Sequence, residues 1–175
     1  YTYALEMINR YHVGSFILTG GTTIEIPVVT NRLQRASRVP LLINADLEAG
    51  AAHGATWRLS RGWTERLPTM IPGGGTRFVS QMAIGATGNP GYAHSMGLIT
   101  AREARAMGIH WSNSPVADVN SNPDNPIINT RSYGEAPSLV AEMVEAYVRG
   151  ANEGGLLSTL KHFPGHGDTR EDSHM

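Results

Sequence analysis

Fifteen consecutive residues, Lys161 to Met175, read KHFPGHGDTREDSHM and concentrate the side chains suited to proton transfer and polar recognition. They include His162, His166 and His174, the acids Asp168, Glu171 and Asp172, and Lys161. Asp172-Ser173-His174 sets a carboxylate two residues from an imidazole. A carboxylate that accepts the Nδ1 proton fixes the tautomer and leaves Nε2 to give and take protons, and a pKa of about 6.5 suits imidazole to that work. From spacing alone two other readings stay open. One is an Asp-x-His pair in a surface turn. The other is a metal-binding pair, His162 and His166, at helical i, i+4 spacing. Pro164 and Gly165 lie between those histidines and oppose the helix that would put both rings on one face, so no metal and no cofactor is expected.

Elements that could position these residues alternate along the chain. Ser15 to Thr19 reads as a buried strand, residues 24 to 37 as a helix that Pro27 weakens or starts, and Leu41 to Ala45 as a second strand. Residues 47 to 90 are irregular and glycine-rich, with one helix near residues 78 to 84. Pro72-Gly73-Gly74-Gly75 lacks the Gly-Lys-Ser/Thr of a phosphate loop and reads as a connection. A helix over 92 to 107, a strand over 109 to 116, and a helix that starts at Pro137 and ends at Gly154-Gly155 follow. Leu156 to Lys161 is the fourth strand. Near-continuous apolar strands between helices indicate a parallel sheet covered by helices. Asp46, Asp118 and Lys161-His162 each fall at the C-terminal end of a strand, where (β/α)₈ barrels build their active sites. The expected fold is therefore α/β of the (β/α)₈ TIM-barrel type, with about four of its eight βα units.

The KHFPGHGDTREDSH segment resembles the signature of glycoside hydrolase family 3, in its β-N-acetylglucosaminidase branch. Two further segments resemble that family in the same order: Asp46-Leu47-Glu48-Ala49-Gly50, and SPVADVNSNPDNPIINTRSYGEAP from Ser114 to Pro137. The resemblance covers most of the chain and is weakest over residues 51 to 90. It implies the barrel fold, with residues 1–175 as the N-terminal part of one catalytic barrel domain and no second domain. It also implies hydrolysis of terminal β-linked N-acetylglucosamine with retention, with Asp46, Arg131, Lys161 and His162 holding the sugar. His174 would be the general acid/base and Asp172 its orienting partner. The family's nucleophile is an aspartate on a later strand, and no residue here matches it. The expected partner is an N-acetylglucosamine-containing saccharide or muropeptide. Alanine at position 49, where the family commonly has glycine, departs from the pattern at a turn.

Each site residue also has a plain structural reading. Asp46 caps a helix, Arg131 pairs with Glu135 four residues on, Lys161 is solvated, and Asp118 is a structural partner of the site. The Asn122-Pro123 and Asn125-Pro126 steps shape the loop that presents Arg131, and His166 and Asp168 shape their own loop. Two functional alternatives remain: a family 3 β-glucosidase, and a non-catalytic sugar-binding or incomplete fragment that lacks the nucleophile.

Composition limits the partners. The 175 residues carry a formal net charge of −1, are 41% hydrophobic and include no cysteine. That balance gives no basic surface for nucleic acid and no disulfide framework or thiolate chemistry. No apolar run approaches membrane-spanning length and no signal-peptide pattern opens the chain. Compartment and oligomeric state stay open. Tyr1 at the start and Met175 one residue past a motif are read as marks of a piece of a longer protein.

Overall fold

A computed structural model of the chain describes residues 2–51 and 75–171. Its centre is a parallel sheet of four strands: β1 (Ser15–Leu18), β2 (Leu42–Ala45), β3 (Trp111–Ser112) and β4 (Leu157–Ser158). They lie side by side in chain order. Helix α1 (Thr2–Tyr11) precedes β1, α2 (Glu25–Ala36) joins β1 to β2, α3 (Gln81–Gly85) and α4 (Pro90–Ala106) lie between β2 and β3, and α5 (Pro137–Glu153) joins β3 to β4. A doubly wound sheet reverses its strand order at a switch point. This sheet does not reverse, so its strands form an arc of a barrel, and the fold is α/β of the TIM-barrel type, as the alternation in the sequence predicts.

Side chains alternate across the sheet. Phe16, Ile43 and Ala45 point to the helices and join Ile8, Leu33 and Met107 in one core. Full burial of an isoleucine or leucine contributes about 1.5–3 kcal/mol. Ile17, Leu42 and Leu157 point to the opposite face and are exposed, so residues 15–19 are half-buried rather than buried throughout. β3 and β4 are shorter than residues 109–116 and 156–161 suggest. Pro115 has no N–H to donate, and regular pairing stops at Ser112. It resumes at an isolated parallel bridge between Val116 and Lys161, where Ala117 N–H donates to the Lys161 carbonyl at 2.6 Å and Lys161 N–H to the Pro115 carbonyl at 3.2 Å. That bridge carries the register of the sheet into the site.

Helix starts follow local chemistry. Thr22 and Glu25 form a reciprocal capping box: the Glu25 N–H donates to Thr22 Oγ1 at 3.0 Å and the Thr22 N–H to Glu25 Oε2 at 3.1 Å. Pro27 falls in the first turn, where its missing N–H costs nothing. Asn89 caps α4, accepting from Gly91 N–H at 2.9 Å, with Pro90 at the first helical position. α1 is an element that the sequence reading leaves out: its apolar stripe, Ala4, Leu5 and Ile8, is only two turns long, yet it packs on the core below β1.

α4 and α5 pack backbone to backbone. A Cβ at Gly97 would collide with the Tyr147 carbonyl, and one at Gly150 with the His94 carbonyl. Two buried glutamine or part-buried glutamine amides then pin helices to strands. Gln34 of α2 donates to the Leu41 carbonyl at 2.8 Å and accepts from its N–H at 2.9 Å. Gln81 of α3 does the same to Val116, at 3.0 and 3.1 Å. Each amide takes the place of a strand partner: Gln34 at the N-terminal end of β2, and Gln81 beyond the C-terminal end of β3, on the side of the site.

Candidate active site

Three strand ends converge on one polar cluster. Asp46 and Glu48 follow β2, Asp118 and Arg131 belong to the long segment after β3, and Lys161 and His162 end the extension of β4. Lys161 Nζ lies 3.0 Å from Asp46 Oδ1 and 2.5 Å from Glu48 Oε1. Arg131 donates from Nε to Glu48 Oε2 at 3.0 Å and from Nη2 to Glu48 Oε1 at 2.8 Å. Arg131 Nη2 also lies 3.2 Å from His162 Nε2, and its Nη1 donates to the Ile127 carbonyl at 2.9 Å. On the far side of the ring, His162 Nδ1 is 2.6 Å from Asp118 Oδ2. Asp46, Lys161, Glu48, Arg131, His162 and Asp118 therefore form one continuous chain of acidic and basic groups, in which Arg131 and His162 are adjacent bases.

Exposure divides the six. The Glu48 and Asp118 side chains are 8% and 0% exposed, whereas Arg131 and His162 are 24% and 29% exposed and Asp46 is 52% exposed. Buried acids anchor the cluster from within, and the groups they hold face outward. Planar, donor-rich Arg131 and the acceptor-only carboxylate of Asp46 are then available to a ligand bearing several hydroxyls.

The electrostatics are mutually supporting. Burial pushes the Asp118 carboxyl up, but hydrogen bonds from the His162 side chain and from the His166 and His162 N–H groups bring it below the usual carboxylate range. Burial likewise opposes the Arg131 charge. The hydrogen bonds and charge of Glu48, with the charges of Asp118 and Asp46, outweigh burial and hold the guanidinium above its ordinary value.

The loops that carry these groups are built by side-chain amides. Asn125 Oδ1 accepts from the N–H groups of Ile127 and Ile128 at 2.9 and 2.7 Å, while its Nδ2 donates to the His166 carbonyl at 2.7 Å. One buried asparagine thus shapes the approach to Arg131 and ties it to the loop after Lys161. Asn122 Oδ1 accepts from Asp124 N–H at 3.0 Å, an Asx turn at the first Asn-Pro step. A Cβ at Gly167 would run into the Val119 carbonyl, so only glycine lets the two loops close. The peptide bonds Ser114–Pro115, Lys161–His162 and Phe163–Pro164 are cis.

Several plain readings of the sequence give way. Arg131 pairs with Glu48 and not with Glu135. Lys161 is held between two carboxylates instead of being solvated, and Asp46 lies in a loop rather than capping a helix. Residues 162–164 form a turn, and the His162 and His166 rings meet edge to face at 6.0 Å. Asp168 accepts from Ser121 Oγ at 3.4 Å, and His166 Nδ1 lies 2.6 Å from Thr169 Oγ1. The turn after Asp46 needs no glycine at position 49, because the left-handed conformation falls on Gly50, at φ 97°. Asp172, Ser173 and His174 lie outside the described residues, as does most of the Pro72–Gly75 segment. Glu48 is the residue that sequence reasoning passed over. Its signal was an acid two residues beyond Asp46, just past the end of a strand.

Residues 2–175 match the glycosyl hydrolase family 3 N-terminal domain. Over 97% of its length the chain is 39% identical to "Beta-hexosaminidase A" of Pseudoalteromonas piscicida, and over 94% it is 36% identical to "Beta-N-acetylglucosaminidase/beta-glucosidase" of Cellulomonas fimi. It spans 28% and 26% of the lengths of those two relatives. Among solved structures it is similar to a glycoside hydrolase family 3 β-N-acetylglucosaminidase from Paenibacillus sp. str. FPU-7, with a TM-score of 0.82 and 36% identity. That match covers 98% of this chain and 31% of that one.

Proposed function

The chain belongs to glycosyl hydrolase family 3, through the family's N-terminal domain, and on that premise we propose that it supplies the sugar-binding strand ends and the acid/base loop of a retaining β-N-acetylglucosaminidase. The observation that carries this reading is the six-residue chain of charges, in which Glu48 and Asp118 are buried while Asp46, Arg131 and His162 remain open to a ligand. In this reading Asp46 accepts from sugar hydroxyls, and Arg131, Lys161 and His162 complete the cradle. Such hydrogen bonds tighten as the ring flattens toward an oxocarbenium-like transition state.

Asp172 orients His174, which protonates the glycosidic oxygen as the anomeric carbon bonds to the family's aspartate nucleophile, a residue this chain does not match; His174 then takes a proton from the water that attacks the resulting glycosyl-enzyme. Most retaining enzymes perform both steps with a carboxyl about 5–5.5 Å from the nucleophile; an imidazole near neutral pKa can do the same work. Glu48 and Asp118 are committed to buried hydrogen bonds and are not proposed as nucleophiles. The name of the Paenibacillus protein favours an N-acetylglucosaminide as substrate, and that of the Pseudoalteromonas piscicida relative a β-hexosaminide. The name of the Cellulomonas fimi relative joins a β-glucosidase to that activity, so β-glucoside cleavage is the second reading.

The test is His174→Ala in the full-length protein, assayed on substrates with good and poor leaving groups. Turnover should fall by about 10²–10⁴ on poor leaving groups, the worth of a positioned acid, and fall less in the glycosylation step on good ones. Equal losses on both would remove His174 from the proton-transfer role.

A further inference from the structure

We propose that Asp118 is a positioning residue that sets the tautomer of His162, so that its ring presents Nε2 to the sugar as a hydrogen-bond acceptor beside the Arg131 donors. The inference rests on the reading of His162 as part of the sugar cradle. Asp118 itself is fully buried and touches no ligand space.

The argument begins with what surrounds the carboxylate. Asp118 Oδ2 accepts from the His162 backbone N–H at 3.0 Å and faces His162 Nδ1 at 2.6 Å, and its Oδ1 accepts from the His166 N–H at 2.5 Å. An ionised carboxylate can only accept, so Nδ1 must carry the proton. A neutral imidazole has one N–H, which leaves Nε2 bare. The other side of the ring gives the same answer independently. Arg131 Nη2, a group that can only donate, lies 3.2 Å from Nε2. The opposite tautomer would set donor against donor at Nε2 and acceptor against acceptor at Nδ1.

The consequence is a matched pair of unlike groups at the exposed end of the site. A sugar hydroxyl is at once donor and acceptor, so it can take the place of the direct Arg131 Nη2–His162 Nε2 contact, giving its proton to the single Nε2 lone pair and receiving one from the guanidinium N–H thus released. A ring with its proton on Nε2 would offer two donors side by side and would read a hydroxyl only as an acceptor. Backbone ties keep Asp118 in place: its carbonyl accepts from Ser132 Oγ at 2.6 Å, on the segment that follows Arg131. The carboxylate therefore acts on the ligand through His162.

Two measurements on the full-length protein test this. Long-range ¹H–¹⁵N correlation on ¹⁵N-histidine-labelled, ligand-free enzyme at mildly alkaline pH reads the ring directly, with His162→Gln to assign the signal. The expected spectrum has a protonated Nδ1 and a bare Nε2, and Asp118→Asn should move the population toward Nε2–H. A wild-type ring protonated at Nε2 would overturn the proposal, and that reading needs no substrate.

The second measurement is a double-mutant cycle of Asp118→Asn with His162→Gln, scored as kcat/KM on whichever glycoside the protein cleaves best. Asp118→Asn should cost about 10–100-fold, the range found for carboxylates that orient metal-bound histidines. In the His162→Gln background it should cost little more. Additive losses would mean that Asp118 acts independently of His162, and would overturn the proposal. An enzyme with the expected tautomer that cleaves no N-acetylglucosaminide would refute the substrate reading alone.

Discussion

Arg131 and Glu48 stand 83 residues apart in the chain and meet fork to fork, Nε to Oε2 at 3.0 Å and Nη2 to Oε1 at 2.8 Å. A bidentate pair fixes direction as well as distance, because both N–H groups must lie in the plane of the carboxylate. The same carboxylate holds Lys161. Glu48 is thus the anion shared by two cations that would otherwise repel each other.

Replacing Glu48 by glutamine keeps the shape and removes the charge. In the full-length protein Glu48→Gln should lower kcat/KM by about 10–100-fold, the usual effect of losing an orienting partner, with KM raised as well as kcat lowered. Steady-state kinetics on a chromogenic glycoside checks it. Wild-type constants would mean that Arg131 and Lys161 are placed by other contacts.

Arg131→Lys should fare almost as badly as Arg131→Ala. One guanidinium reaches both Glu48 oxygens, the Ile127 carbonyl and His162 Nε2. An ammonium is a point charge without a planar fork and cannot span those four acceptors. Comparing kcat/KM for the two variants decides the matter, and a lysine variant near wild type would show that charge alone is needed.

The depressed Asp118 carboxyl predicts a pH effect with a definite sign. Its folded-state pKa lies below the ordinary value of 3.8, so the unfolded chain binds the proton more readily than the native one. Its contribution to stability is therefore fully present above that unfolded value and is lost as pH falls through the lower folded value. Wild type should exceed Asp118→Asn in urea midpoint at neutral pH, and the gap should narrow below about pH 4. A gap independent of pH would mean that the ionised form is not what the fold uses.

How much of this was legible in the sequence depends on the range of the signal. β1, β2, α4 and α5 announce themselves through apolar runs and helical periodicity, and the Asn-Pro and Pro137 steps mark turns and a helix start, because those signals are local. Asp46, Lys161 and His162 were legible as polar residues at strand ends. The role of Glu48 was not, since it depends on a partner 83 residues away that no spacing rule reaches. Gln34 and Gln81, which pair with strand backbone, look like ordinary helix surface residues in sequence. α1 was missed because two turns of apolar stripe fall below what periodicity can register.

Gly150→Ala should separate packing from function. The new methyl would meet the His94 carbonyl where α4 and α5 touch, and overpacking of this kind costs about 1–3 kcal/mol. Denaturant unfolding should show that loss with KM unchanged, because the contact lies in the helix layer and not at the strand ends.

The most direct measurement of the central claim is the ratio of kcat/KM for a chromogenic β-N-acetylglucosaminide to that for the matching β-glucoside, determined on the full-length protein alongside Asp46→Ala. The expected result is preference for the N-acetylglucosaminide, with activity on both substrates reduced in the variant because the hydroxyls proposed to contact Asp46 are common to the two sugars. Faster cleavage of the β-glucoside would contradict the substrate assignment, and an undiminished Asp46→Ala enzyme would contradict the site itself.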